Sequence, residues 1–134
     1  MNGIVLVSHS RKITDGLQEM IQEMTNNEVK IFSAGGTDDG RLGTSAPLIM
    51  EGIEACQDCT RILVFCDLGS SVLSAETAIG LVDEELGQKC IIMDCPLVEG
   101  AFIAAVQSMV SGDDINKIVQ EVNKLTEHPM ALPE

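Results

Sequence analysis

His9 closes an apolar run in the stretch Gly-Ile-Val-Leu-Val-Ser-His-Ser, from Gly3 to Ser10. An imidazole nitrogen is a nucleophile when the proton on the other nitrogen is held in place. A carboxylate that accepts that N–H fixes the tautomer and stabilises positive charge on the ring. Asp67, in Asp-Leu-Gly-Ser-Ser after another apolar run, is the candidate for that part. Three segments rich in glycine and hydroxyls complete the set: Gly35-Gly36, Gly43-Thr44-Ser45 and Gly69-Ser70-Ser71. Such loops, at helix N-termini, offer backbone N–H groups to a tetrahedral anion. The combination suits a phosphoryl group carried on His9, with Ser8 and Ser10 beside it. Acyl chemistry fits less well, because neither serine lies in a Gly-x-Ser-x-Gly elbow.

Each residue has a plainer use when taken alone. A histidine at a strand end is often only hydrogen-bonded in place, Asp67 would cap the helix after it, and the glycines would serve turns. Glu99, in Pro-Leu-Val-Glu-Gly-Ala, reads as a first-turn carboxylate favoured by the helix dipole. The functional reading rests on the joint placement. No metal site is expected, since the second histidine, His128, lies in the tail.

The elements that must position these residues follow from hydrophobic spacing. Ile4–Val7, Val29–Phe32, Ile62–Phe65 and Ile91–Met93 are short apolar runs that predict strands. Ile13, Leu17, Met20, Ile21 and Met24 recur at helical spacing. Leu48, Ile49 and Ile53 do so behind a capping Ser45. Ala75, Ala78, Ile79, Val82 and Leu86 predict one further helix, and two more span Leu97–Met109 and Ile115–Leu125. This alternation predicts an α/β fold: one domain over residues 1–125, with a mainly parallel four-stranded sheet of order 2-1-3-4 and helices on both faces. Residues 126–134 are aperiodic and read as a flexible tail. In that strand order the ligand crevice opens between strands one and three, beyond their carboxyl ends. His9 and Asp67 end those two strands.

Composition narrows the partners. The formal net charge is −13 with eight Lys and Arg, and aromatics are 2%. That charge repels a phosphate backbone, and nothing supplies a base-stacking platform, so nucleic acid is excluded. The field either keeps the chain soluble or draws in a partner with a basic patch. No apolar run reaches the roughly 20 residues of a membrane span, and no signal peptide is evident, which predicts a cytoplasmic protein. Of five cysteines, Cys66, Cys90 and Cys95 read as small buried hydrophobes. Cys56 and Cys59 form a lone Cys-x-x-Cys and read as incidental surface thiols rather than a redox pair.

The four segments Gly3–Ser10, Ser-Ala-Gly-Gly…Gly-Thr-Ser, Asp-Leu-Gly-Ser-Ser and Pro-Leu-Val-Glu-Gly-Ala, in this order, resemble the mannose-type IIA family of the phosphoenolpyruvate:sugar phosphotransferase system. The resemblance runs from about Gly3 to Gly112. In the mannose branch proper, an aromatic and a Gly-Gly-Ser run usually follow the aspartate. Asp-Leu-Gly-Ser-Ser departs from that and is similar to the branch of phosphotransfer subunits serving dihydroxyacetone kinases.

The resemblance implies a phosphohistidine at His9, oriented by Asp67, in a pocket walled by Ser8, Ser10, Gly35, Gly36, Gly43, Thr44, Ser45, Gly69, Ser70 and Ser71. It implies HPr as donor. As acceptor it implies ADP on a second kinase subunit (DhaL), where ATP forms and phosphorylates dihydroxyacetone on a third. It implies a homodimer whose only covalent cargo is phosphate, with ADP, ATP and magnesium on the partner. Some family members fuse HPr-like and enzyme I-like domains behind this one; the short chain leads us to expect a separate HPr. The alternatives are a mannose-type IIA component of sugar transport and, further off, a receiver-like regulator or a flavodoxin-like binding module. Receivers need acidic residues after strand one to bind magnesium, where this chain has Ser-His-Ser.

Overall fold

Four short, largely apolar segments make four parallel strands, and the two central ones are apolar throughout because helices on both faces of the sheet leave them no polar side. The computed structural model describes residues 1–126 and 131–133; His128 and most of the expected tail lie outside them. The strands are β1 (Gly3–Val7), β2 (Lys30–Ser33), β3 (Ile62–Cys66) and β4 (Cys90–Met93). Their order is β2-β1-β3-β4, all parallel, as the sequence predicts. The two central strands are buried along their whole length.

The helices are α1 (Arg11–Met24), α2 (Ala46–Ala55), α3 (Gly69–Leu81), α4 (Glu84–Gly87), α5 (Leu97–Ser111) and α6 (Ile115–Asn123). A 3-10 turn, Lys124–Thr126, follows. Alternate strand residues feed two cores, as the two-residue period of a strand requires. Ile4, Leu6, Leu63 and Phe65 pack with Leu17, Ile21, Ala101, Ala104 and Ile118 on one face. Val5, Val7, Ile62 and Val64 pack with Ile49, Ile53, Ala75 and Ala78 on the other.

Two expectations are corrected. The helix expected to run through Leu86 breaks at Val82, whose backbone is extended, and restarts as α4. Val82 and Leu86 still pack against the same core as Ala75 and Ala78, so apolar spacing does not register the break. Cys56 and Cys59 are not surface thiols: they are 0% and 3% exposed. They sit against Gly3, where a Cβ would stand 2.7 Å from the Cys56 sulfur and 3.1 Å from that of Cys59. Burial pushes the Cys56 thiol up to about 12, which makes it a poor nucleophile.

Candidate functional site

β1 and β3 pair in register, with Val7 opposite Cys66. The next residues therefore leave the sheet side by side at its carboxyl edge, and these are Ser8-His9 and Asp67. The Asp67 carboxylate collects four donors. Its Oδ2 accepts the Ser8 hydroxyl at 2.9 Å and the His9 backbone N–H at 3.0 Å. Its Oδ1 lies 3.1 Å from His9 Nδ1 and accepts the Leu68 N–H at 2.7 Å. Burial pushes this carboxyl up, but the hydrogen bonds from the His9 and Leu68 N–H groups, the Ser8 hydroxyl and the His9 ring outweigh it. They hold the group down at about 2. Asp67 is thus an ionised acceptor, and it sits one position before the N-cap of α3, which is Leu68. Three of its four partners lie in the histidine loop, and the fourth is the N–H of that N-cap residue.

An ionised Asp67 accepts only, so the proton of His9 belongs on Nδ1 and the lone pair on Nε2. Nε2 faces the Ser70 hydroxyl at 2.7 Å, which donates to it in that tautomer. Ser70 stands in the first turn of α3, where a helix leaves N–H groups without intrahelical partners. Gly69 and Ser70 are both exposed there, and open space surrounds the position of a Gly69 Cβ. The exposed nitrogen of His9 therefore opens toward the positive end of α3.

The remaining loop residues build the cradle rather than the contact surface. Gly36, at φ +76°, donates its N–H to the Ser8 carbonyl at 2.9 Å. Gly43, at φ +134°, donates its own to the His9 carbonyl at 2.9 Å. These N–H groups clamp the backbone of the histidine loop, so they are not the anion donors that their sequence suggests. Gly35 permits close approach: a Cβ there would lie 2.3 Å from Thr14 Oγ1 and 2.6 Å from the Ser10 carbonyl.

The hydroxyls divide in the same way. Ser8 is buried, donates to Asp67 and accepts the Ser10 N–H at 3.0 Å. Ser71 is buried and gives its hydroxyl to the Leu68 carbonyl at 2.6 Å. Ser45 caps α2 by accepting the Leu48 N–H, and its own hydroxyl bonds the Asp38 carboxylate. Thr44 Oγ1 meets Ser74 Oγ at 2.6 Å and ties the β2–α2 loop to α3. Ser8, Ser45 and Ser71 thus act as supports behind the pocket wall expected of them. Ser10 is the N-cap of α1, but its side chain makes no capping bond. Glu99 lies in the first turn of α5, as expected, and lines an apolar groove with Met20, Met24, Val98 and Phe102.

Sequence reasoning missed Arg11, whose Nε donates to the Gly35 carbonyl at 2.7 Å and locks the β1 and β2 loops together. A cation two residues after the candidate histidine, in a chain with so few, was the available signal. Cys66, directly before Asp67, is pushed up to about 11 by burial, which makes it a poor nucleophile beside the site. Among the described residues no three His, Cys, Asp or Glu side chains gather as a metal site, and no helix is long and apolar enough to cross a membrane.

Residues 3–119 match the family described as PTS system fructose IIA component (EIIA-man). The chain is 56% identical over 125 residues to the Listeria innocua protein named PEP-dependent dihydroxyacetone kinase 2, phosphoryl donor subunit DhaM, covering 93% of this chain and 99% of that one. A Lactococcus lactis protein named PTS-dependent dihydroxyacetone kinase, phosphotransferase subunit DhaM, is 33% identical, covering 92% and 94%. The Escherichia coli phosphoryl donor subunit DhaM is 41% identical over 89% of this chain, which spans only 26% of that longer protein. Among solved structures, the unknown-function protein EF1359 superposes with a TM-score of 0.84 at 44% identity, over 94% of this chain and 95% of that one.

Proposed function

The chain belongs to the mannose-type IIA family, and on that premise we propose that it is the phosphoryl donor subunit of a PTS-dependent dihydroxyacetone kinase. It takes phosphate from the phosphohistidine of HPr onto His9 and passes it to ADP held on a partner subunit. The relatives' names support the system, and one observation supports the residue: the His9 ring is held between Asp67 at Nδ1 and Ser70 at Nε2.

The chemistry follows from that geometry. The lone pair of Nε2 attacks phosphorus in line as the P–N bond to the donor histidine breaks. The donor imidazole leaves with that electron pair. His9 keeps its Nδ1 proton, so the phosphorylated ring is cationic, and Asp67 lies against it to balance the charge. The Ser70 hydroxyl is released from Nε2 as the new bond forms and is free to donate to a phosphoryl oxygen, with the first-turn N–H groups of α3 beside it. In the second transfer a β-phosphate oxygen of ADP attacks, the P–Nε2 bond breaks, and the lone pair returns to Nε2. Both steps are positioning and electrostatics, as phosphoryl transfer requires. The protein is proposed to act as a cytoplasmic homodimer without a resident cofactor, ADP, ATP and magnesium belonging to the partner.

The test is incubation with phosphoenolpyruvate, enzyme I and HPr, followed by mass mapping and then addition of the ADP-binding subunit with ADP. One phosphoryl group on His9, discharged by that subunit, is the expected result. Discharge to a mannose-type IIB protein instead would move the chain to sugar transport. No modification at His9 would overturn the reading.

A further inference from the structure

A cavity of about 230 Å³ lies at the amino end of β1, the opposite end of that strand from His9. Asn2, the residue before β1, lines it and is only 3% exposed. Ser108 of α5 fixes which way the Asn2 amide faces. The Ser108 hydroxyl gives its proton to the Ala104 carbonyl at 2.8 Å, so its oxygen accepts only. Asn2 Nδ2 donates to that oxygen at 3.4 Å. Asn2 Oδ1 is thereby turned from Ser108 and receives no donor. It is the one buried side-chain nitrogen or oxygen without a partner among the described residues. Such an oxygen gives up its water on folding and gains nothing in exchange, a standing cost that a bound donor removes.

We propose that this cavity is a binding site for a primary alkylammonium group, carried by a free short-chain amine or by a lysine side chain. The lining joins acceptors and negative charge to an apolar wall. Glu28, in the loop between α1 and β2, is exposed, and its carboxylate has no hydrogen-bond or ion-pair partner among the described residues. Asp113, just after α5, accepts the Thr60 hydroxyl at 2.8 Å and already holds one ammonium, that of Met1, at 3.4 Å. That pair leaves the Glu28 charge uncompensated. An anionic ligand would be repelled by the carboxylates, and a neutral hydroxyl would satisfy Asn2 Oδ1 but leave Glu28 unpaired. An ammonium carries three donors, no acceptor and a positive charge, which matches this lining. Val29 and Met109 supply apolar contact for a methylene chain. Among the described residues no three His, Cys, Asp or Glu side chains gather, which disfavours a metal ion in place of the amine. The site stands apart from His9 and does not depend on the phosphotransfer reading.

The experiment titrates 1,4-diaminobutane into the full chain at about 0.1 M salt, followed by NMR of the Asn2 side-chain N–H signals. The expected result is a saturable shift with a Kd below about 1 mM. Glu28→Gln should weaken binding by about 5-fold or more, while Glu76→Gln, also exposed but on α3, should stay within about 2-fold. The fully N-methylated diamine keeps both charges but has no N–H, and it should bind about 10-fold more weakly or worse. Asn2→Leu should lose saturable binding. Nα-acetyl-lysine methylamide separates the two sources: binding tighter than the diamine assigns the site to a lysine of a partner protein, and weaker binding assigns it to a free amine. No saturable shift with either amine would overturn the proposal and leave the cavity to water. Equal binding of the N-methylated diamine would overturn it too, as would equal losses in Glu28→Gln and Glu76→Gln, since either result reduces the effect to the chain's net negative charge. If Asn2→Leu does not fold, the N-methylated diamine and Glu28→Gln still decide the matter with Asn2 in place.

Discussion

At the scale of single residues, the proposed phosphotransfer rests on how Asp67 holds the His9 ring. Asp67 takes the Nδ1 side of the ring and leaves Nε2 facing Ser70. His9→Ala is expected to abolish phosphate uptake while leaving the fold intact, because the side chain is partly exposed and belongs to neither core; loss of helical circular dichroism would contradict this. Asp67→Ala should slow transfer by roughly 10²-fold through loss of ring orientation without preventing association with HPr. Unchanged single-turnover kinetics would reduce Asp67 to a structural acceptor.

The same carboxylate has a stability signature. Its folded value, about 2, lies below the unfolded value of about 3.9. Its contribution is therefore present above about pH 4 and lost as the pH falls toward about 2, up to roughly 2 kcal/mol. Denaturant titrations across that window should show the unsubstituted chain losing this stability and Asp67→Asn lacking that part of the slope. The residue pair itself was legible in the sequence, because each member ends an apolar run. The fate of the hydroxyls was not. Ser8, Ser45 and Ser71 resemble Ser70 in type and neighbourhood, and only the direction of each side chain separates supports from the one at Nε2.

At the scale of elements, the site is a product of close loop approach. Gly35 lets the β2 loop lie on the first turn of α1, where a Cβ would collide with Thr14 and the Ser10 carbonyl. Gly35→Ala is expected to destabilise the fold by about 1–3 kcal/mol and to slow transfer by shifting the histidine loop; a thermal melt and a transfer rate both unchanged would contradict it. Phe65→Ala, at a fully buried side chain of β3, should cost about 3–5 kcal/mol by cavity formation, read by denaturant unfolding. The central strands were legible because a parallel sheet covered on both faces is written there as unbroken apolar runs. The break at Val82 was hidden because Val82 and Leu86 pack on one core from either side of it. The burial of Cys56 and Cys59 was hidden for a related reason. It depends on Gly3, more than fifty positions away, leaving room for two sulfurs.

At the scale of the whole molecule, the strand order turns two distant segments into one site. The order 2-1-3-4, expected as the commonest for such an alternation and observed here, places the crevice at the ends of β1 and β3. Charge acts at this scale too. A net −13 should steer a partner with a basic rim, so raising the salt from about 0.05 to 0.5 M should slow phosphate uptake from HPr severalfold. A rate independent of salt would leave the charge as a solubility feature. The central claim is the identity of one nitrogen, and nitrogen-15 NMR of the histidine ring after charging from phosphoenolpyruvate, enzyme I and HPr reads it directly. The expected result is phosphorus on Nε2 of His9 with the proton retained on Nδ1. Phosphate on Nδ1, or on any other residue, would contradict the account.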